Sequence, residues 1–301
     1  MTIAAGFRAD GGVLLCADQL HLAPDGFKTY SPKVSAWIAG PWRCGFAYAG
    51  NKANSEIAIR NLVNTIERSG ANVWQDLVEP MSRSVLSTAR SYIDRHPASE
   101  RDAYCFELLI ALNRPPSGDV GFLATSNGAL NPVAENYAFT GVGSSYGECV
   151  GRVASLGTLS LDVAILLGSR SIATAKRYTN DCGGPSNFVF IYNEAKPTIP
   201  IASFNEPFIE DYVVEYETTM DRILLMCANP TSTIESVRKE LDDLARSAEL
   251  MKFTCRTYLG TTVSILKGRI PIARRSDPQS PTTGQSPPPP SPESPEESGE
   301  S

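Results

Sequence analysis

The chain has 301 residues, a formal net charge of −6 and an apolar fraction of 42%. This length suits one large domain or two small ones, and the apolar fraction supplies a sizeable core. A pI near 5.1 argues against a nucleic-acid partner, because neutralising phosphates requires a basic surface. No apolar run predicts a membrane helix, and the first residues lack the basic and apolar regions of a signal peptide.

The N-terminal half is predicted to contain short strands followed by two helices. Turn residues at Asp10-Gly11-Gly12 and at Gly40-Pro41 each separate two apolar runs, as in hairpins. Apolar residues from Ile59 to Ile66 recur at helical spacing. The predicted elements are strands at 2–8, 13–17, 33–39 and 44–49 and helices at 51–68 and 82–96.

Further strands and helices are predicted along the second half. The elements are strands at 106–112, 120–125 and 137–140, a helix at 161–176, a strand at 187–192, helices at 209–227 and 233–251, and a strand at 258–266. The last of these helices opens with a capping box, Ser232 followed by Glu235. This order favours an α+β fold with antiparallel sheets covered by helix layers, rather than alternating βαβ units.

The last segment, residues 276–301, differs in composition from the rest of the chain. It holds eight prolines and five acidic residues, with no Lys, Arg or large apolar residue. Such a segment buries too little surface to offset its ordering entropy, which predicts a disordered acidic tail. The chain then divides into a main domain at 1–200, a helical extension with a final strand at 201–275 that packs on the same domain, and the tail. Without the tail, the body is nearly neutral.

Cysteine and histidine usage limits the chemistry. Seven widely spaced cysteines without a CxxC pair are more typical of a reducing cytoplasm than of a disulfide framework or a zinc site. The two histidines, His21 and His96, are too few for a His-rich metal centre. We therefore expect a cytoplasmic protein that uses no metal and no cofactor.

Thr2, Asp18 and Lys33 form a candidate catalytic group. Removal of Met1 would leave a threonine whose own α-amine, with a pKa near ~8, can accept the proton of its hydroxyl. The predicted hairpin and the strand after it bring the three residues to one sheet edge. There Lys33 would stabilise a developing alkoxide, and Asp18 would hold the lysine in its charged form.

Four ordered segments resemble the N-terminal region of proteasome β-type subunits, which are N-terminal-nucleophile hydrolases. They are residues 2–6, 10–18, 31–34 and 46–50, and the sixteen-residue separation of Thr2 and Asp18 matches the family. Residues 141–145 and 181–184 resemble two later turns of the family, so that the resemblance covers about residues 2–195. It implies a four-layer αββα sandwich with two facing antiparallel sheets and helices outside.

The resemblance also implies roles for individual residues. Thr2 is the nucleophile, Lys33 tunes it, Asp18 orients Lys33, and the backbone N–H of Gly50 stabilises the oxyanion. Ser144 falls where the family keeps a serine bonded to the threonine amine.

The resemblance bears on four further positions. Cys182 replaces a second supporting serine of the family. Thr179 aligns with the supporting aspartate of the family, and Asp181, two residues on, is the candidate to replace it. Tyr48 is expected to line a shallow pocket for the residue before the cleaved bond.

The function implied is a threonine-type endopeptidase that cleaves polypeptides through an acyl ester on Thr2. Family members work as rings, so a homo-oligomeric ring is expected, with neither a nucleic-acid nor a membrane partner. The resemblance also allows an ATP-dependent unfoldase as a partner, although no feature of the chain indicates one. Two alternatives stay open: a catalytically inactive, proteasome-like structural ring subunit, favoured by Thr179, and a hydrolase of small amides on the same sandwich.

Overall fold

The computed structural model describes residues 2–22, 26–115, 119–126, 128–154, 157, 159–193, 199–201, 206–229 and 231–266. All of them lie in one compact unit, Met1–Ile270. The predicted tail at 276–301 lies outside the described residues. The strands are β1 (Ala4–Ala9), β2 (Gly12–Ala17), β3 (Leu20–Leu22), β4 (Lys28–Tyr30), β5 (Val34–Ala39), β6 (Trp42–Gly50), β7 (Phe106–Asn113), β8 (Val120–Ser126), β9 (Ala129–Pro132), β10 (Tyr137–Thr140), β11 (Asn187–Tyr192) and β12 (Ile199–Ile201). The helices are α1 (Lys52–Arg68), α2 (Gln75–Tyr92), α3 (Ser144–Ala154), α4 (Leu161–Tyr178), α5 (Glu206–Ala228) and α6 (Ile234–Leu266).

Within the described residues, the strands form two five-stranded antiparallel sheets and a short hairpin. The first sheet has the order β10-β1-β2-β11-β12, the second has the order β5-β6-β7-β8-β9, and β3 pairs with β4. β1 and β2 are buried along most of their length, which is typical of strands covered on both faces. The predicted α+β class, with antiparallel sheets and helices in the described chain, is therefore confirmed.

Three apolar clusters form the core of the part of the chain that the structure describes. One joins the two sheets and includes Leu15 of β2, Ala47 of β6 and Phe122 of β8. A second lies between the second sheet and the helices α1 and α2, and a third lies between the first sheet and the helices α3, α4 and α5. Burial of these side chains supplies the main favourable free energy of folding.

Helix α1 illustrates how the local sequence determines an element. Asn51 is its N-cap, and the Asn51 side chain accepts a hydrogen bond from Asn54 N at 3.1 Å, which satisfies one of the free amides of the first turn. The predicted stripe from Ile59 to Ile66 is buried against the second sheet. The helix therefore begins at Lys52, with only the cap residue Asn51 between it and the end of β6 at Gly50.

The second helix begins earlier than predicted. α2 starts at Gln75 and contains Pro80, whereas the sequence pattern placed its start at residue 82. A proline inside a helix removes one backbone hydrogen bond. Leu77 and Met81, on either side of Pro80, are fully buried, and their packing stabilises this turn despite the missing bond.

The predicted final strand at 258–266 is wrong, because these residues continue α6 to Leu266. Their threonine and valine residues favour strands when considered locally. Extending an existing helix adds a backbone hydrogen bond for each residue without a new nucleation step. The described part of the C-terminal extension is therefore helical, apart from β12 and the connection between α5 and α6.

Candidate active site

The structure brings Thr2, Asp18 and Lys33 together at one edge of the first sheet. Thr2 lies before β1, Asp18 lies after β2, and the register pairs Ala4 with Ala17. Antiparallel pairing therefore puts the start of β1 beside the end of β2. Lys33 lies directly before β5 of the second sheet, and its ammonium reaches the carboxylate of Asp18.

The carboxylate of Asp18 is the centre of this group. Oδ1 accepts from Thr2 Oγ1, Lys33 Nζ (3.0 Å) and Ile3 N (3.3 Å), and Oδ2 accepts from Leu20 N (3.1 Å) and Gly183 N (2.9 Å). Asp18 is fully buried, and Thr2 and Lys33 are 1% exposed. These donors satisfy both oxygens of a carboxylate that is shielded from water. The carboxylate thereby fixes the position of both the Thr2 hydroxyl and the Lys33 ammonium.

Lys33 is buried beside the carboxylate of Asp18. Burial lowers the pKa of the Lys33 ammonium, and the charge and hydrogen bond of Asp18 oppose that shift. Nζ also donates to Leu20 O. Because Lys33 Nζ and Thr2 Oγ1 contact the same oxygen of Asp18, the cation lies next to the hydroxyl, where it would stabilise negative charge on the threonine oxygen.

The main chain of Thr2 is held by the turn that precedes α3. Gly143 N donates to Thr2 O at 3.4 Å, and a Cβ at Gly141 would lie 2.1 Å from that same oxygen. Only glycine permits this approach, and Gly141 also has a positive φ of 90°. The carboxylate of Glu107 holds the turn by accepting from Gly141 N at 2.8 Å and from Thr140 Oγ1.

Gly50 ends β6 with an exposed backbone and a φ of +94°. A Cβ at this position would lie 2.3 Å from Cys105 O. The next residue, Asn51, donates its N–H to that oxygen at 2.8 Å. The position therefore requires glycine, and the oxyanion role of its N–H stays a prediction.

Ser144 and Asp181 lie in the two turns predicted for them. Ser144 N donates to Gly141 O at 3.0 Å in the first turn of α3, and Asp181 N donates to Thr179 Oγ1 at 3.2 Å. Within the described parts of the chain, no hydrogen bond found for either residue reaches Thr2. Their support of the threonine amine therefore stays a prediction.

The three backbone donors of Asp18 and one carboxylate of this site were not predicted from the sequence. Ile3 N, Leu20 N and Gly183 N act through the main chain, which leaves no residue-type signal. Glu107 is the one charged residue in the apolar run of β7, and that isolation was the available signal.

The thiol of Cys182 is buried close to this group. Burial, followed by the negative charge of Asp18, raises the pKa of Cys182 to about 12, while the positive charge of Lys33 lowers it. The thiol is therefore protonated at neutral pH. A neutral thiol in this position is a packing group rather than a nucleophile.

His21 and Tyr48 form an aromatic pair beside Lys33. Their ring centroids are 6.1 Å apart, and burial followed by the charge of Lys33 lowers the pKa of His21 to about 4. Burial also raises the pKa of the Tyr48 hydroxyl. His21 Nε2 and Tyr48 OH are buried without a hydrogen-bond partner in the described chain. Tyr48 packs in the cluster with α1, and its predicted role in a substrate pocket stays a prediction.

Three features that would define other classes of site are absent from the residues that the structure describes. No group of three His, Cys, Asp or Glu side chains there is placed to hold a metal ion. The six cysteines whose side chains are described form no disulfide. None of the helices in these parts of the chain has the length and apolarity needed to cross a membrane.

The fold is proteasome-like, as comparison with solved structures indicates. Anbu (ancestral beta-subunit) from Yersinia bercovieri matches with a TM-score of 0.59 at 14% identity, over 74% of this chain and 97% of that chain. An Anbu (Gly-1) mutant from Hyphomicrobium sp. strain MC1 gives the same TM-score, identity and coverage. The helical assembly of the Anbu complex from Pseudomonas aeruginosa matches with a TM-score of 0.60 at 14% identity, over 78% of this chain and 99% of that chain. No protein-family model matches the chain, and no curated protein sequence matches it.

These matches correct the family assignment drawn from the sequence. The assignment to proteasome β-type subunits with an N-terminal threonine is wrong, because the structural neighbours are Anbu proteins, a proteasome-related and Ntn-hydrolase-like group. What holds is a proteasome-like fold.

Proposed function

We propose that this protein hydrolyses amide bonds with Thr2 as an N-terminal nucleophile. The observation that carries the proposal is the buried contact of the Thr2 hydroxyl and the Lys33 ammonium with one oxygen of Asp18. A hydroxyl beside a fixed cation is the arrangement that an activated nucleophile requires. The proteasome-like fold supports the same reaction class.

The proposed reaction begins with the removal of Met1, which frees the α-amine of Thr2. The amine takes the proton of the Thr2 hydroxyl as the oxygen attacks the carbonyl carbon of the substrate amide. The Lys33 charge stabilises the negative charge that develops on the threonine oxygen, and Gly50 N–H stabilises the resulting oxyanion. The Thr2 ammonium then protonates the leaving amine, the C–N bond breaks, and an acyl ester remains on Thr2. Water, deprotonated by the amine, then attacks the ester carbon. The C–O bond to Thr2 Oγ1 breaks, the ammonium returns its proton to Oγ1, and the acid is released with Thr2 regenerated.

The arrangement of layers and the assembly state belong to the same proposal. We infer that the two sheets face each other and that the helices cover their outer faces, as in a four-layer αββα sandwich. We further infer a homo-oligomer, supported by the helical assembly of Anbu from Pseudomonas aeruginosa. A polypeptide substrate, a closed ring, an ATP-dependent unfoldase and a cytoplasmic location are the corresponding predictions.

Intact-mass measurement with and without a peptide epoxyketone tests the proposal. This probe forms its adduct only with a free α-amine and the hydroxyl of the same N-terminal threonine. We expect a chain that begins at Thr2 and gains the mass of one probe. Thr2→Ala abolishes the adduct, whereas Thr29→Ala, at an exposed threonine of β4, retains it. A chain that keeps Met1, or a Thr2 chain without an adduct, contradicts the proposal.

A structural, non-catalytic subunit is the second candidate. Thr179 stands where the resemblance places an aspartate, and its hydroxyl accepts a hydrogen bond from Asp181 N, which is a structural use of the side chain. This candidate predicts a stable oligomer without probe adduct. Size determination together with the mass measurement separates the two.

A small-amide hydrolase is the third candidate, favoured by the unpartnered polar atoms of His21 and Tyr48. These atoms suit a small polar substrate better than an apolar side chain. Turnover of small primary amides by a chain that fails to cleave peptides would favour it.

A further inference from the structure

A polar cluster outside the Thr2 site joins α5 to α4 and to the segment before β11. Lys176 Nζ donates to Glu210 Oε2 at 2.5 Å and to Ser186 Oγ at 3.3 Å, and Ser186 Oγ donates to Glu210 Oε1. Ser186 is fully buried, and the side chains of Lys176 and Glu210 are 18% and 14% exposed. Both oxygens of the Glu210 carboxylate are thus used to hold elements distant in sequence.

Ser186 belongs to the same short segment that reaches Asp18. Gly183 N donates to Asp18 Oδ2 at 2.9 Å, and Gly183 O accepts from Gln19 N at 3.1 Å and from Leu20 N at 3.0 Å. Residues 183–186 are therefore fixed at one end by the Thr2 site and at the other by Glu210. A segment held at both ends transmits the position of α5 to the carboxylate of Asp18.

We propose that Glu210 is a positioning residue of the Thr2 site, which holds Ser186 and neutralises Lys176 so that Gly183 stays bonded to Asp18. This inference rests on the proposed function, because positioning matters only if Asp18 and Lys33 act on a reacting Thr2. It assigns α5 a part in the reaction, although none of the α5 side chains that are described takes part in the hydrogen bonds of the Thr2 group.

The negative charge of Glu210 also affects the pKa of Lys33, through Lys176. The groups that interact electrostatically with Lys33 are Asp18, Cys182, Lys176 and His21, and the positive charge of Lys176 lowers the pKa of Lys33. Glu210 compensates that positive charge through its ion pair with Lys176. Removing the carboxylate leaves Lys176 uncompensated, which disfavours the protonated Lys33 that the reaction uses.

The test compares Glu210→Gln with Glu217→Gln. Glu217 lies seven residues further along α5 and pairs with Arg170 of α4 at 2.7 Å, so its variant removes an ion pair between the same helices without touching Ser186. The rate of epoxyketone acylation is followed against pH. Glu210→Gln is expected to lower the rate about tenfold and to move the alkaline limit down by about half a pH unit, whereas Glu217→Gln stays within about twofold of wild type.

The Lys176→Met variant is expected to shift the alkaline limit of the acylation rate in the opposite direction. It removes the positive charge near Lys33, so the alkaline limit moves up, and in the double variant Lys176→Met/Glu210→Gln it returns toward wild type. A purely structural role would move both single variants in the same direction. Equal effects of Glu210→Gln and Glu217→Gln, or an alkaline limit that does not move, would overturn the inference.

Hydrogen exchange at the Gly183 amide separates this inference from the proposed function. Loss of protection in Glu210→Gln but not in Glu217→Gln supports the positioning role, and equal protection in both variants overturns it even in an active enzyme. A wild-type chain that does not react with the probe, but shows this protection pattern, overturns the proposed function alone.

Discussion

At the scale of single residues, Asp18 holds the candidate site together through five donors that come from four separate parts of the chain. Two of its donors are side chains that the reaction would use, and three are backbone amides. A carboxylamide in its place would present N–H groups to these donors and leave the buried Lys33 ammonium without its counter-charge. The cost of losing one partner of a buried ion pair is much larger than the net value of the pair.

We therefore predict that Asp18→Asn lowers the free energy of unfolding by about 3–5 kcal/mol and abolishes reaction with the epoxyketone. Asp211→Asn, which changes an exposed carboxylate of α5, is the control and should stay within about 0.5 kcal/mol of wild type. Urea unfolding followed by fluorescence measures both. A loss below about 1 kcal/mol for Asp18→Asn would show that the pair contributes no more than a surface ion pair.

His21 provides a pH-dependent effect at the same scale. Its folded-state pKa of about 4 is below the ordinary value of 6.5, so between these values the unfolded chain binds more protons than the folded one. Stability is then fully present above pH 6.5 and falls as the pH drops toward 4. After allowance for solvent screening, we predict that about 1–2 kcal/mol is lost over this window.

The His21→Gln variant tests that assignment, because glutamine does not titrate. Unfolding curves at a series of pH values from 7 to 4 should show a shallower loss of stability in the variant. Identical slopes for the two proteins would mean that other groups cause the acid sensitivity.

At the scale of elements, the junction between β6 and α1 determines where Gly50 presents its N–H. The strand ends in a left-handed glycine that lies against Cys105 O. Asn51 caps the helix that follows and donates its N–H to the same oxygen. This junction cannot take a side chain at Gly50 without moving the backbone of residues 105 and 106.

We predict that Gly50→Ala costs about 3 kcal/mol or more, since it combines left-handed strain with a backbone clash. Gly70→Ala is the matched control: Gly70 also has a positive φ, of 64°, but a Cβ there meets no atom within 4 Å. Its cost should be about 1–2 kcal/mol, from the backbone conformation alone. Thermal unfolding distinguishes the two, and equal costs would show that the Cys105 contact yields easily.

The sequence predicts an element well when the residues that determine it lie within that element. The cap at Asn51 and the stripe from Ile59 to Ile66 lie within α1 itself, so its bounds were predicted to the residue at its C-terminal end. β3 and β4 are three residues each and carry polar residues, too short for a periodic signal. The end of α6 depends on cooperative extension of the helix, and the strand preference of single residues gives no information about that.

At the scale of the whole molecule, the site was harder to predict where its contacting residues lie far apart in the sequence. Thr2 and Asp18 are brought together by one hairpin, so their meeting was predictable from turn residues and spacing. Gly183 reaches Asp18 across 165 residues, and Glu107 reaches Thr140 across 33. Neither contact follows from a local pattern, because each depends on how the two sheets and α4 are packed.

Net charge is a further property of the whole chain. The five acidic residues at 277–300 account for most of the formal charge of −6, and the rest of the chain is nearly neutral. A protein close to zero net charge self-associates more readily than a charged one. We therefore predict that removing residues 276–301 leaves the melting temperature unchanged within about 1 °C, but increases self-association at neutral pH and low salt, as measured by static light scattering.

A full-length variant without the tail charges separates the charge of the tail from its length. It carries Asp277→Asn together with Glu293→Gln, Glu296→Gln, Glu297→Gln and Glu300→Gln. If charge repulsion keeps the molecules apart, this variant self-associates as strongly as the truncated chain, and the full-length protein loses its advantage as salt is added. A truncated chain that scatters like the full-length protein would show that the tail has no such role, and a neutral-tail variant that scatters like wild type would assign the effect to excluded volume.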